Sequence, residues 1–203
     1  MIAIIDYGMG NIHSVQKALE HFGAQTLVTA KPDELINCDK AVLPGVGAFS
    51  DAMQELVKQG FPEALSAYVK AGKPLLGICL GMQLFFAESQ EAPGVKGLKI
   101  LEGKVRRFDP ATGVKIPHMG WNQLRIERRD CPLMEGVPDG SSVYFCHSYY
   151  PDNRKPQERA AACDYGIDFT SVVWRENVYG VQFHPEKSQA TGLRMLQNFV
   201  RLC

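Results

Sequence analysis

No Cys-x-x-Cys pair and no His-x-x-x-His spacing occurs among the six cysteines and five histidines. A structural zinc site is therefore not expected. No charge dominates: 22 Lys and Arg balance 22 Asp and Glu, which removes the basic surplus a nucleic-acid surface needs. No apolar run approaches the roughly 20 residues of a membrane-spanning helix. There is no internal repeat and no low-complexity tract. The segment Met1 to Asp6 shows neither a basic leader nor a small-residue cleavage site and reads as a buried strand. Without a secretory signal, the cysteines are expected to be reduced thiols of a cytoplasmic protein. A dinucleotide fingerprint is missing too. Gly8 and Gly10 lack the third glycine, since His13 stands in its place, and no acid follows the second strand.

What is present is an ordinary globular composition, 45% apolar and 22% charged over 203 residues, enough for one domain spanning 1–203. The first half alternates strands and helices. Strands are expected at 2–6, 25–29, 41–43 and 75–78, and helices at 12–22, 49–59, 62–71 and 82–88. The second half reads as short strands: 104–108, 123–127, 142–146, 159–163, 171–174 and 178–183. An amphipathic helix over 191–202 closes the chain. This pattern predicts an α/β fold: a mostly parallel central sheet flanked by helices, with an antiparallel β extension.

The richest motif is Gly77-Ile78-Cys79-Leu80-Gly81. It follows an apolar strand and precedes a helical stretch, as the thiol form of a Gly-x-Ser-x-Gly elbow. A helix N-terminus there favours a thiolate, and the Leu80 amide is a natural oxyanion donor. Cys38, Cys131, Cys146, Cys163 and Cys203 are expected to be inert packing. A partner base is found in His184-Pro185-Glu186. Pro185 biases His184 towards an extended conformation, and residues two apart in an extended segment point the same way. Glu186 can then hold the imidazole while His184 takes the thiol proton.

Pro44-Gly45-Val46-Gly47 closes the third strand, on the side where reactive groups gather in open α/β sheets. Gly45 and Gly47 free the backbone, so Val46 N–H and Leu80 N–H form the expected oxyanion pair. One such donor typically contributes about 2.7–4 kcal/mol to a transition state. His118 is read on a loop, in a packing or interface role, and His147 at a strand end bordering a pocket.

Together these motifs resemble the triad glutamine amidotransferases. They include Asp6-Tyr7-Gly8-Met9-Gly10-Asn11, Pro117-His118-Met119-Gly120-Trp121-Asn122 and Gln182-Phe183-His184-Pro185-Glu186-Lys187-Ser188. The likeness is strongest to the glutaminase subunits that serve a cyclase in histidine biosynthesis. It spans the whole chain, with no departure at a triad position. It implies that Cys79, His184 and Glu186 hydrolyse glutamine through a thioester, with no cofactor or metal. Gln83, Glu91, Ser148 and Tyr149 are implied as glutamine contacts. Met9, Asn11, Trp121 and Lys187 are implied near the interface with a (β/α)₈-barrel cyclase, in a heterodimer that carries ammonia through a dry channel. Two other readings stay open: the glutaminase of another amidotransferase complex, such as pyridoxal phosphate synthase, and a stand-alone γ-glutamyl hydrolase active without a partner.

Overall fold

The computed structural model describes residues 1–153 and 155–203. The chain runs β1 (Ile2–Ile5), α1 (Ile12–His21), β2 (Thr26–Thr29), α2 (Pro32–Leu35), β3 (Lys40–Gly45), α3 (Phe49–Lys58), α4 (Phe61–Lys70), β4 (Leu75–Cys79) and α5 (Leu80–Gln83). It continues through β5 (Gly103–Arg107), β6 (His118–Gln123), β7 (Arg125–Ile126), β8 (Ser142–His147), β9 (Tyr149–Asn153), β10 (Arg159–Asp164), β11 (Asp168–Arg175), β12 (Val178–Val181) and α6 (Gln189–Arg201). Among the described residues no helix is long and apolar enough to cross a membrane.

Eight strands form the main sheet in the order β2-β1-β3-β4-β12-β11-β10-β7. The pairings from β2 to β12 are parallel, and β11, β10 and β7 extend the sheet antiparallel. β5 pairs with β9 and β6 with β8 in two small antiparallel ribbons.

The parallel strands are apolar on both faces because helices cover both faces. In β1, Ile2 and Ile4 enter one core, and Ala3 and Ile5 the other. α3 buries Phe49, Ala52, Met53 and Leu56, a stripe at i, i+3, i+4 and i+7. α6 buries Met195, Leu196 and Phe199 on the opposite side. Its Gly192 lets it close on the turn after β12, since a Cβ there would lie 2.0 Å from the Pro185 carbonyl oxygen.

The expected layout holds, with local differences, among them the short helix α2, which has no counterpart in the expected helices. The helix expected over 82–88 is the single turn α5. The carbonyls of Leu84 and Phe85 accept from the amides of Leu98 and Leu101, so the helical ladder has no acceptors with which to continue. His118 lies not on a loop but in β6, paired residue for residue with β8. β9 has no counterpart in the expected strands.

Candidate active site

Three neighbouring strands deliver the chemistry. β4 lies between β3 and β12, all parallel. Their carboxyl ends therefore sit side by side, at strand spacings of about 4.8 Å. Gly45 pairs with Cys79 across β3 and β4, and Val181 pairs with Ile78 across β12 and β4. Segments more than a hundred residues apart thus meet at one sheet edge.

Cys79 occupies the turn at φ 55°, ψ −112°. A non-glycine residue there stores on the order of 1–3 kcal/mol of strain, held by close packing around the elbow. A Cβ on Gly81 would lie 1.8 Å from the Leu43 carbonyl oxygen, and one on Gly77 would meet the Phe85 ring at 2.7 Å. The thiolate was expected to draw on a helix dipole, but α5 has only four residues. The structure supplies a side-chain donor as well: Gln182 Nε2 donates to Cys79 Sγ at 3.7 Å.

His184 Nδ1 lies 3.0 Å from Glu186 Oε1, and the ring shares the pocket with the Cys79 side chain. Both side chains are almost fully buried. Burial opposes the imidazolium, but Cys79 and Glu186, with their charges, outweigh it and raise the His184 pKa to about 10. Burial likewise opposes the Glu186 carboxylate, and the His184 contact outweighs it, so the acid stays below its usual range. The His184 backbone is clamped. Its N–H donates to the Tyr144 carbonyl, and its carbonyl accepts from Ser188 Oγ at 2.7 Å.

A pocket of about 370 Å³ opens over these groups, at the small end for ligand sites. Cys79, His184, Val46, Gly47 and Leu80 line it. So do Gln83, Glu91, Ser148, Tyr149 and Lys187. Glu91 Oε2 accepts the Phe49 amide at 3.0 Å, and burial raises its pKa. Gly45 stands just behind, in register with Cys79. Glu186 lies beyond His184 rather than in the pocket wall.

Of the residues implied near an interface, Met9 packs its terminal methyl against Gly47. Trp121 is 49% exposed and meets Tyr144 of the pocket wall edge-on. Asn11 has a further contact: its amide donates to Glu186 Oε1 at 3.1 Å.

Several site residues were not anticipated. Gln182 was detectable in principle, two residues before His184 at the end of the same extended segment. Cys146, expected as inert packing, is half-buried and lines the pocket, because it alternates with the core residues Phe145 and His147 along β8. Tyr7 is wholly buried with an unpartnered hydroxyl. Burial and the neighbouring Cys79 charge raise its pKa, and nothing in its sequence context signals this.

A family model described as glutamine amidotransferase class-I matches residues 3–203. The chain is a class-I glutamine amidotransferase. This amidotransferase is 50% identical over 204 residues to imidazole glycerol phosphate synthase subunit HisH of Syntrophotalea carbinolica, covering 98% of each chain. It is 48% identical over 204 residues to the subunit of the same name from Methanosarcina acetivorans, covering 100% of this chain and 98% of that one. Among solved structures, a protein titled glutamine amidotransferase superposes with a TM-score of 0.77 at 20% identity, covering 98% and 99%. The glutaminase domain of Trypanosoma brucei CTPS gives 0.69 at 16%, covering 98% and 92%. These two likenesses speak for the amidotransferase fold.

Proposed function

We propose that the whole chain, residues 1–203, is the glutaminase subunit of an imidazole glycerol phosphate synthase, working in the cytoplasm. It hydrolyses glutamine to glutamate and ammonia and passes the ammonia to a cyclase partner. The observation that carries the catalytic reading is a strained Cys79 that lines one pocket with His184, whose imidazole Glu186 holds from behind.

The steps follow from that geometry. His184 takes the Cys79 proton, and the sulfur attacks the side-chain amide carbon of glutamine. The oxygen of the tetrahedral species takes up negative charge beside the Val46 and Leu80 amides, with Gly45 and Gly47 giving the strand end its freedom. Breaking the C–N bond returns the His184 proton to the nitrogen, and ammonia leaves. Water then attacks the thioester, His184 accepts its proton, and the C–S bond breaks to give glutamate. Glu186 keeps the ring oriented and stabilises its charged form throughout. Glu91 meets the substrate ammonium, and Gln83, Ser148 and Tyr149 hold the rest of the amino acid.

The assignment to this synthase is supported by near-full-length identity of 48–50% to proteins named as its HisH subunit. The partner is a (β/α)₈-barrel cyclase in a heterodimer. Val46, Met119 and Trp121 are exposed apolar side chains at or beside the pocket mouth, as a docking rim requires. Met9, Asn11, Trp121 and Lys187 belong to that side. The Gly45–Gly47 segment reorients when the loaded cyclase docks, so that glutamine is not hydrolysed without an acceptor. The test is glutamine turnover by the chain with and without cyclase carrying its nucleotide substrate, against Cys79→Ala. Strong activation, lost in the variant, is expected. Equal rates with and without cyclase overturn the partner assignment.

A further inference from the structure

Behind His147 and Tyr149, which line the same pocket, lies a chain of hydrogen bonds that the triad does not use. It starts at Asn122, whose amide orientation is fixed: Oδ1 accepts the Gln123 amide at 2.8 Å, and Nδ2 donates to the Asp164 carbonyl at 2.8 Å. The second Nδ2 hydrogen faces His118 Nε2 at 3.3 Å. His118 and His147 are paired directly across β6 and β8, with His118 Nδ1 3.1 Å from His147 Nε2. His147 Nδ1 then meets the Tyr149 carbonyl at 2.7 Å.

The protons on this chain can be placed. A carbonyl oxygen only accepts, so His147 carries its hydrogen on Nδ1. Burial keeps both rings neutral: it depresses His147 to about 3 and His118 to about 4. His147 Nε2 is then an acceptor, so His118 carries its hydrogen on Nδ1, and its Nε2 accepts from Asn122. His118 cannot rotate out of this arrangement, because it is stacked between Tyr165 at 3.8 Å and Phe145 at 4.6 Å. Beyond His147, the Tyr149 carbonyl also accepts from Gln83 Nε2 at 2.9 Å. The other Gln83 hydrogen goes to Gln182 Oε1 at 3.0 Å, which turns the Gln182 amide so that its nitrogen faces Cys79 Sγ.

We infer that His118 is a positioning residue for the glutaminase reaction: by donating to His147 it fixes the Tyr149 carbonyl and, through Gln83, the Gln182 amide that faces the nucleophile. The inference rests on the proposed glutaminase role. Its mechanism is one of tautomers. Without the His118 donor, His147 is free to move its hydrogen to Nε2, and its bare Nδ1 then repels the Tyr149 carbonyl. Pocket wall and amide lose their register together. Asn122 starts the chain in the same strand as the exposed Met119 and Trp121, so the outer ribbon is linked to the sulfur bond by bond.

The test separates this role from packing. His118→Phe keeps the ring between its two aromatic neighbours and removes the donor. His118→Asn loses the ring and keeps a donor at the Nδ1 position. Glutaminase kinetics with loaded cyclase should show kcat/KM about tenfold lower for Phe, mostly in KM, and within about threefold of the parent for Asn. Imidazole nitrogen NMR of the full chain should show His147 as the Nδ1–H form in the parent and as a mixture in His118→Phe. A His147 found as the Nε2–H form in the parent overturns the inference whether or not any variant folds. So does a Phe variant as active as the parent, or an Asn variant worse than Phe. Retained turnover by Cys79→Ala instead sinks the glutaminase reading and leaves the tautomer result standing.

Discussion

Two histidines face the same pocket and are held in opposite states. His184 sits between a thiol and a carboxylate and is pushed up to about 10. His147 sits between a carbonyl and another imidazole and is pushed down to about 3. Both side chains are buried, so burial alone does not decide. Cys79 and Glu186 beside His184 offset the desolvation of its imidazolium, and the carbonyl and second imidazole beside His147 do not. The protein thus holds two buried imidazoles of one pocket in opposite protonation states, using the same residue type.

The comparison breaks most sharply at the sulfur. Cys79→Ala should lower glutamine turnover by roughly 10⁴-fold or more, measured with the partner present. The unpartnered Glu186 Oε2 gives the next test. Glu186→Gln keeps an oxygen for His184 and Asn11, but it removes the charge and leaves an amide nitrogen buried without an acceptor. Turnover should fall by about 10²–10⁴-fold, and an NMR titration should find the His184 pKa lower than in the parent. That variant brings the two histidines closer together; an unchanged His184 would show that Glu186 does not help set its state.

A third test acts on the frame. Gly81→Ala pushes a Cβ into the Leu43 carbonyl and should cost about 3 kcal/mol or more in denaturant unfolding. Gly94→Ala, with no atom within 4 Å but a φ of +88°, should cost only about 1 kcal/mol.

The smallest effect is in pH dependence. A group whose folded pKa lies above its unfolded value near 6.5 stabilises most below that value and loses its contribution as pH rises towards about 10. His184→Ala should therefore flatten the fall in Tm between about pH 6.5 and 10. For the neutral pair the sign is reversed. His118 and His147 withhold protons that the unfolded chain takes up, so their cost appears as pH drops below about 6.5. His118→Phe should soften acid unfolding in that range.

The parallel half and its elbow were readable in the sequence. Its strands are short apolar runs, and the ten-residue helices α1, α3 and α4 show spacing at 3.6 residues, which the four-residue α2 and α5 are too short to do. Gly77 and Gly81 frame a cysteine that little else would place there. The ribbons were harder to read. β6 carries Gly120 and Asn122, which read as turn formers, yet Gly120 pairs with Phe145 inside the ribbon at φ 132°. β9 holds Pro151, Asp152 and Asn153, all poor strand formers, and is set by pairing with β5 instead. The His118–His147 contact was hidden for the same reason: it exists only once the β6–β8 register is known. Asn11 was placed near a partner surface, but its bond to Glu186 depends on tertiary closure that no local pattern encodes.

That Asn11–Glu186 bond joins the first loop of the chain to its last turn. A growing chain therefore carries Cys79 without His184 and Glu186 beside it until residue 186 has been added and has folded back against residue 11.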